Sequence, residues 1–143
     1  KMMDPNENNV FQNQSLIQGS YVIAYYDIDD INNTSKLFGN VGKYVFKGLN
    51  EENCKLIINE NEEIKFRYEY KFSKKGQNKL LLKINDGFIL KDISYMFYHT
   101  NVTYIDFSHF DISNVINMTE MFSFCQNLTS IDVSRFYTEK VRI

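Results

Sequence analysis

An α+β fold is what this chain predicts: a small antiparallel β-sheet or sandwich followed by a short solenoid of about two coils. Two observations carry that expectation. The first is an internal repeat near the C-terminus. Shifted by 26 residues, Asn101-Val102-Thr103 falls on Asn127-Leu128-Thr129, and Ile105-Asp106-Phe107-Ser108 falls on Ile131-Asp132-Val133-Ser134. Upstream the offset is 25, with Ile93 on Met118 and Met96-Phe97 on Met121-Phe122, because one residue is missing where His99-Thr100 faces Phe124-Cys125-Gln126. The second observation is strand-like alternation upstream of the repeat. Between Ile64 and Phe72, Phe66, Tyr68 and Tyr70 alternate with Lys65, Arg67, Glu69 and Lys71, which places the aromatics on one face and the charges on the other.

Each unit of the repeat has a physical reading. In Leu128-x-x-Ile131-x-Val133 the apolar residues alternate with Ser130 and Asp132, so a short strand faces the core with one side and solvent with the other. Val102-x-x-Ile105-x-Phe107 is the same arrangement one unit earlier. Between the strands, Val115, Met118, Met121, Phe122 and Cys125 recur at spacings of three and four, which predicts a helical turn packed behind the strand. A strand and a helical turn within a period of 20 to 30 residues is the signature of leucine-rich repeats. Met96, Phe97, Ile105, Phe107, Met118, Met121, Phe122, Leu128, Ile131 and Val133 are the expected repeat core, with Ile105 and Ile131 in neighbouring parallel strands.

The run from Ile112 to Phe136, with Asn114-Val115, Asn117-Met118-Thr119, Met121-Phe122-x-x-Cys125 and Leu128-Thr129-Ser130-Ile131-Asp132-Val133-Ser134, resembles the BspA-like leucine-rich repeats of bacterial and protist surface proteins. Residues 20–90 more loosely resemble the segment that precedes such repeats in some protist proteins, through Tyr25, Leu37-Phe38-Gly39, Cys54-Lys55-Leu56-Ile57 and Lys79-Leu80-Leu81-Leu82. Departures exist: the first unit lacks the cysteine, and Tyr137-Thr138-Glu139 replaces the usual Asp-Thr-Ser. The resemblance implies a non-catalytic structural or adhesive role at a cell surface.

Three regions follow from these patterns: a polar arm over residues 1–20, a β-rich capping region over 21–86 and the repeats over 87–143. The arm is rich in Asn and Gln, holds the single proline, Pro5, and has Val10, Phe11, Leu16 and Ile17 as its apolar handles. An initial Lys1 fits removal of a leader and an experimental boundary equally well. In the capping region, strands are expected over 21–26, 54–58, 64–72 and 80–84, with a Gly-containing turn over 73–78. Residues 36–50 read as an irregular or partly helical connection that buries Phe38 and Phe46.

Composition narrows the function classes. A net charge of −2 provides no basic field for nucleic acid or anionic membrane, and no run reaches the ~18 apolar residues of a membrane span. No phosphate-binding glycine loop, dinucleotide fingerprint, zinc-protease helix or nucleophile elbow occurs, so no catalytic residue, cofactor or metal is expected. His99 and His109 read as surface or loop residues without a ligand or triad partner. Asp27, Asp29 and Asp30 lack the turn glycine and bidentate Glu of a calcium loop and read as a solvated strand end. Cys125 is expected as a buried free thiol rather than a partner of Cys54.

Six sequons, at Asn13, Asn32, Asn33, Asn101, Asn117 and Asn127, exceed what the composition alone would produce and point to an extracellular or surface location, the alternative being cytoplasmic. In the repeat, Asn117 and Asn127 also suit turn hydrogen bonds. The polar strand face of Tyr104, Asp106, Ser108, Ser130, Asp132 and Ser134 is either a binding surface for a surface protein or glycan or simply solvated. A third unit starts with Val141, aligned on Val115, so the second unit is expected to show an apolar end. Further repeats would cover it in a longer repeat protein; cover by another copy, head to tail, would use Val10, Phe11, Leu16 and Ile17 against Val133, Phe136 and Val141, and an unclosed contact of that kind extends into a filament, the alternative being a monomeric adhesive or ligand-binding module.

Overall fold

Tyr21–Ile28 (β1) is the strand on which the whole chain assembles. Apart from Ala24 and Asp27, its sequence YVIAYYDI is β-branched or aromatic, as suits a strand largely buried on both faces. In the computed structural model, which describes residues 18–136, β1 pairs antiparallel with Gly76–Ile84 on one side and with Val102–Asp106 on the other. Labelled in chain order, the remaining strands are Ser35–Lys36 (β2), Asn40–Val41 (β3), Tyr44–Val45 (β4), Cys54–Ile58 (β5), Glu62–Ile64 (β6) and Glu69–Tyr70 (β7). Gly76–Ile84 is β8, Val102–Asp106 is β9 and Ser130–Asp132 is β10. One six-stranded sheet runs β10-β9-β1-β8-β5-β6, and β2-β7 and β3-β4 form two small ladders beside it.

The sheet is mixed, and its one parallel pair lies in the repeat. Ile131 stands opposite Ile105 in parallel register, as the 26-residue offset predicts. The capping region and the repeats share one core: Val22, Ala24, Tyr26, Leu56, Leu80 and Leu82 from the sheet meet Phe38, Phe46, Met96, Phe97, Ile105 and Phe107. The buried Tyr26 hydroxyl donates to the Leu37 carbonyl at 3.0 Å, which resolves its polarity inside that core. A smaller cluster of Tyr21, Ile23 and Leu81 occupies the opposite face of the sheet.

No helix forms among the described residues, and the α+β leucine-rich-repeat solenoid expected from the sequence gives way to an all-β fold with mixed sheets. The segment expected to be a helical turn is instead a string of tight turns. Met121, Ser123 and Cys125 donate their N–H groups three residues back, to Met118, Glu120 and Phe122, each at 3.3 Å. Glu120 and Phe124 have φ of 48° and 60°, and their counterparts Tyr95 and His99 have φ of 60° and 53°. A left-handed residue at every fourth position stops a right-handed helix from propagating. Alternate amides are thereby turned sideways, so Ile93, Tyr95, Phe97 and His99 donate to the carbonyls of Asn117, Thr119, Met121 and Ser123 at 2.9–3.0 Å.

A sandwich does not form either; the layer opposite the six-stranded sheet consists of loops, the two short ladders and the repeat turns. In the 64–72 segment the aromatic alternation persists in burial, but hydrogen-bonded strand survives only as Glu62–Ile64 and Glu69–Tyr70. Residues 36–50 contain no helix and bury Phe38 and Phe46 to 1% and 0% exposure. That connection covers the outer side of the first repeat unit. Gly39 donates to the Met96 carbonyl at 3.0 Å, and a Cβ at Gly39 or Gly48 would lie 2.0 Å from the Tyr95 carbonyl oxygen or 1.9 Å from that of Asp92. Glycine is what lets the two backbones approach so closely.

Candidate functional site

Two surfaces come out of this architecture: the polar face of β9 and β10, and the free end of the second repeat unit. On the first, Tyr104, Asp106, Ser108, Ser130, Asp132 and Ser134 do lie together, since Ser130 is level with Tyr104 and Asp132 with Asp106. The two carboxylates among them have structural work. Asp106 Oδ1 accepts the Ser108 N–H at 2.8 Å and Asp132 Oδ1 accepts that of Ser134 at 3.0 Å, so both carboxylates cap the turn after their strand. The hydrogen bonds from Ser134 hold the Asp132 carboxyl below the usual carboxylate range.

Across from these acids the face is aromatic. Tyr25 and Tyr104 have ring centroids 5.7 Å apart, and Tyr21 stacks on His109 at 4.7 Å. Desolvation first, and then the Asp106 carboxylate, pushes the Tyr21, Tyr25 and Tyr104 phenols above their ordinary range. The phenols therefore stay protonated. His99 sits 3.3 Å from the Lys36 ammonium through Nδ1. Among the described residues no three His, Cys, Asp or Glu side chains are grouped to hold a metal ion, and Asp30 of the Asp27–Asp30 segment caps a turn by accepting the Asn32 N–H at 2.9 Å.

Both cysteines are free thiols. Cys54 is buried in β5, where desolvation pushes its thiol up to about 12. Cys125 donates to the Phe97 carbonyl at 2.8 Å, tying the second unit to the first, and burial pushes its thiol up as well.

Of the sequons, Asn32 and Asn33 are exposed in the turn after β1; Asn101 and Asn127 are exposed in the repeat. Asn117 is committed to its turn, accepting from the Thr119 N–H at 2.9 Å and the Thr119 hydroxyl at 2.6 Å. Asp92 and Ser94 make the same pair of bonds one unit earlier. Asn13 lies outside the described residues, as do Val10, Phe11, Leu16, Ile17 and Val141, five of the seven expected assembly contacts.

The other two, Val133 and Phe136, line the second surface. Together with Met118, Met121 and Phe122 they floor an open cleft of about 740 Å³ at the end of the second unit, rimmed by Thr119, Glu120 and Ser123. Its asymmetry with the first unit is plain. Phe107 is fully buried while its counterpart Val133 is 41% exposed, and Phe97 is fully buried while Phe122 is only half-buried. Leu128 and Ile131 are likewise half-buried, so the expected core is complete on the first unit's side only.

The backbone shows the same one-sidedness. Ile93, Tyr95, Phe97 and His99 donate to the second unit; their counterparts Met118, Glu120, Phe122 and Phe124 find no acceptor for their N–H groups among the described residues. This row was not legible as a site beforehand, although the 25-residue offset identifies each member. Among the described residues, strand β10 also ends the sheet, with β9 as its one neighbour. At the opposite end, β6 is short and carries Glu62 and Glu63, charges of the kind that guard an edge against further pairing.

These surfaces define an all-β protein of cap and repeat, with an apolar, donor-lined end. Residues 76–143, just under half of the chain, match a family described as "Mycoplasma protein of unknown function, DUF285". The similarity spans β8 and both repeat units. No curated protein and no solved structure matches the chain. No helix is long and apolar enough to cross a membrane among the described residues.

Proposed function

We propose that this chain is a non-catalytic structural and interaction module of an extracellular layer or cell surface, joined to its partner through the free end of the second repeat unit. The observation that carries the reading is the open floor of Met118, Met121, Phe122, Val133 and Phe136 beside an unguarded strand edge. The other side of the repeat is covered by residues 36–50. One end closed and one end open favours a heterologous, head-to-tail contact, with another copy of the chain as the first partner. Covering that floor contributes a few kcal/mol at ~25 cal/mol per Å² of apolar surface, and an added strand on β10 supplies hydrogen bonds. The resemblance of the repeat to those of BspA-like surface proteins supports the same role.

Sedimentation velocity of the full chain should show mass rising with concentration in the micromolar range. Val133→Asp places a charge on the floor at a position already 41% exposed, so it should leave the melting temperature near that of the parent and abolish the association. A monodisperse parent would sink the self-association and favour the second reading, a monomeric binding module using the Tyr104–Asp132 face. That reading draws on the paired aromatics Tyr25 and Tyr104, which stand beside Asp106.

The extracellular placement has its own test. Asn32 is exposed, and so is Thr34, the hydroxyl residue of its sequon, whereas Ser35, which completes the Asn33 sequon, is 7% exposed within β2. Asn32 is therefore the expected carrier of glycan in protein from its own source. Intact mass before and after endoglycosidase reads it, and an unchanged mass would remove this support for a surface location.

A further inference from the structure

The open end has a direction. Between the two units every sideways bond in the turn rows Ile93–His99 and Asn117–Ser123 runs the same way, from an N–H of the first unit to a carbonyl of the second. The one-way direction belongs to these turn rows; the parallel strands β9 and β10 bond both ways, the Phe107 N–H donating to the Asp132 carbonyl at 2.9 Å and the Thr129 hydroxyl donating back to the Thr103 carbonyl at 3.0 Å. One step back, the Thr103 hydroxyl donates to the Tyr25 carbonyl at 3.0 Å, so β1, although antiparallel to β9, occupies the position of a preceding unit's strand. The polarity then continues to the end of the described chain: Met118, Glu120, Phe122 and Phe124 present donors, among the described residues unanswered, directly above the apolar floor.

Resting on the interaction role argued above, we infer that this end is a one-way socket for a third unit of the same repeat, which seats backbone carbonyls on the Met118, Glu120, Phe122 and Phe124 amides and apolar side chains on the floor. The argument is continuity with the interface that the first two units already make. A chain lacking a carbonyl row in that register would bury four donors without partners, which is costly. Two open ends cannot close on each other about a two-fold axis through these rows, since both present N–H groups. Any symmetric dimer of this face leaves the amides unpaired, whereas a unit in the conformation of the second one pairs all four.

The sequence register supplies the probe. Ile143 stands 26 residues after Asn117, so the full chain extended after Ile143 by the sequence of Met118 to Phe136 completes a third unit. Amide hydrogen exchange, resolved residue by residue, compares the full chain with the extended chain. In the full chain the Glu120, Phe122 and Phe124 amides should exchange much faster than those of Tyr95, Phe97 and His99; Met118 is left out of the comparison because Ile143, whose carbonyl is its acceptor in this register, already belongs to the full chain. In the extended chain they should slow by about tenfold or more, toward the rates of the first row. Val133→Asp in the extended chain should return them to fast exchange while leaving the first row slow. The inference is overturned if the Glu120, Phe122 and Phe124 amides stay fast in the extended chain, or if they are already slow in dilute full chain. Association of the full chain with these amides still fast would overturn the socket and leave the interaction role standing. Protection in the extended chain without association of the full chain would do the reverse.

Discussion

Replacement of Phe107 by alanine is expected to lower the unfolding free energy by about 3–5 kcal/mol, the range for emptying a fully enclosed aromatic site. Phe107 has no exposure. Its ring lies 6.0 Å from that of Phe97, 5.5 Å from Phe110, 5.9 Å from Phe122 and 5.1 Å from Phe136. It is therefore the ring through which the first unit holds the second, and its loss leaves a cavity that no single neighbour can fill. Phe122→Ala, at a half-buried site on the open floor, should cost less than half as much. Urea denaturation of the two variants beside the parent decides the point. Equal costs would mean that the second unit is as enclosed as the first, and the open floor would have to be given up.

The second large effect is expected at Gly48. An alanine Cβ there would fall 1.9 Å from the Asp92 carbonyl oxygen and 2.9 Å from the Phe46 ring. The obstacle is backbone, which has no rotamer to turn away, so the covering segment must lift from the first unit. A cost of about 3 kcal/mol or more is expected, at the upper end of overpacking penalties. Gly39→Ala meets the Tyr95 carbonyl at 2.0 Å and should behave alike. Gly42 is the control: its φ is +58° but nothing lies within 4 Å of a Cβ, so Gly42→Ala carries a backbone penalty of only about 1–2 kcal/mol. If Gly48→Ala were as mild as Gly42→Ala, the close approach of the cover to the repeat would be wrong.

Much of this arrangement was legible in the residues. The 26-residue offset puts Ile131 beside Ile105, and the two strands are indeed in that register. The alternation from Phe66 to Phe72 correctly sorts aromatics from charges, because burial follows side-chain period even where strand hydrogen bonds lapse. Spacing of three and four at Met118, Met121, Phe122 and Cys125 predicts a helical turn, where the structure has a string of tight turns. Such spacing reports which side chains share a face. It does not report where the intervening amides point, and helices and serial turns differ in that alone. The left-handed residues Tyr95, His99, Glu120 and Phe124 are not glycines, so no residue type marked the turns.

The candidate site divides the same way. Asp106, Ser108, Asp132 and Ser134 drew attention as polar residues on an open strand face, yet their side chains and amides close turns. Val133 and Phe136, two of the expected assembly contacts, line the cleft at the end of the second unit. The four amides beside them that find no acceptor among the described residues carry no side-chain signal at all.

From residues alone come the repeat, its strand register, the inward and outward faces and the absence of any recognisable catalytic motif, since all of these are written in side-chain type and periodicity. The three-dimensional fold decides that the connecting segments are turns, that β1 joins cap and repeat into one sheet, and that the end of the second unit offers donors over an apolar floor. These depend on backbone direction and on contacts between segments far apart in the chain. Hydrogen bonding between main-chain groups is common to every residue except proline, and the sequence therefore does not distinguish a satisfied amide from a waiting one.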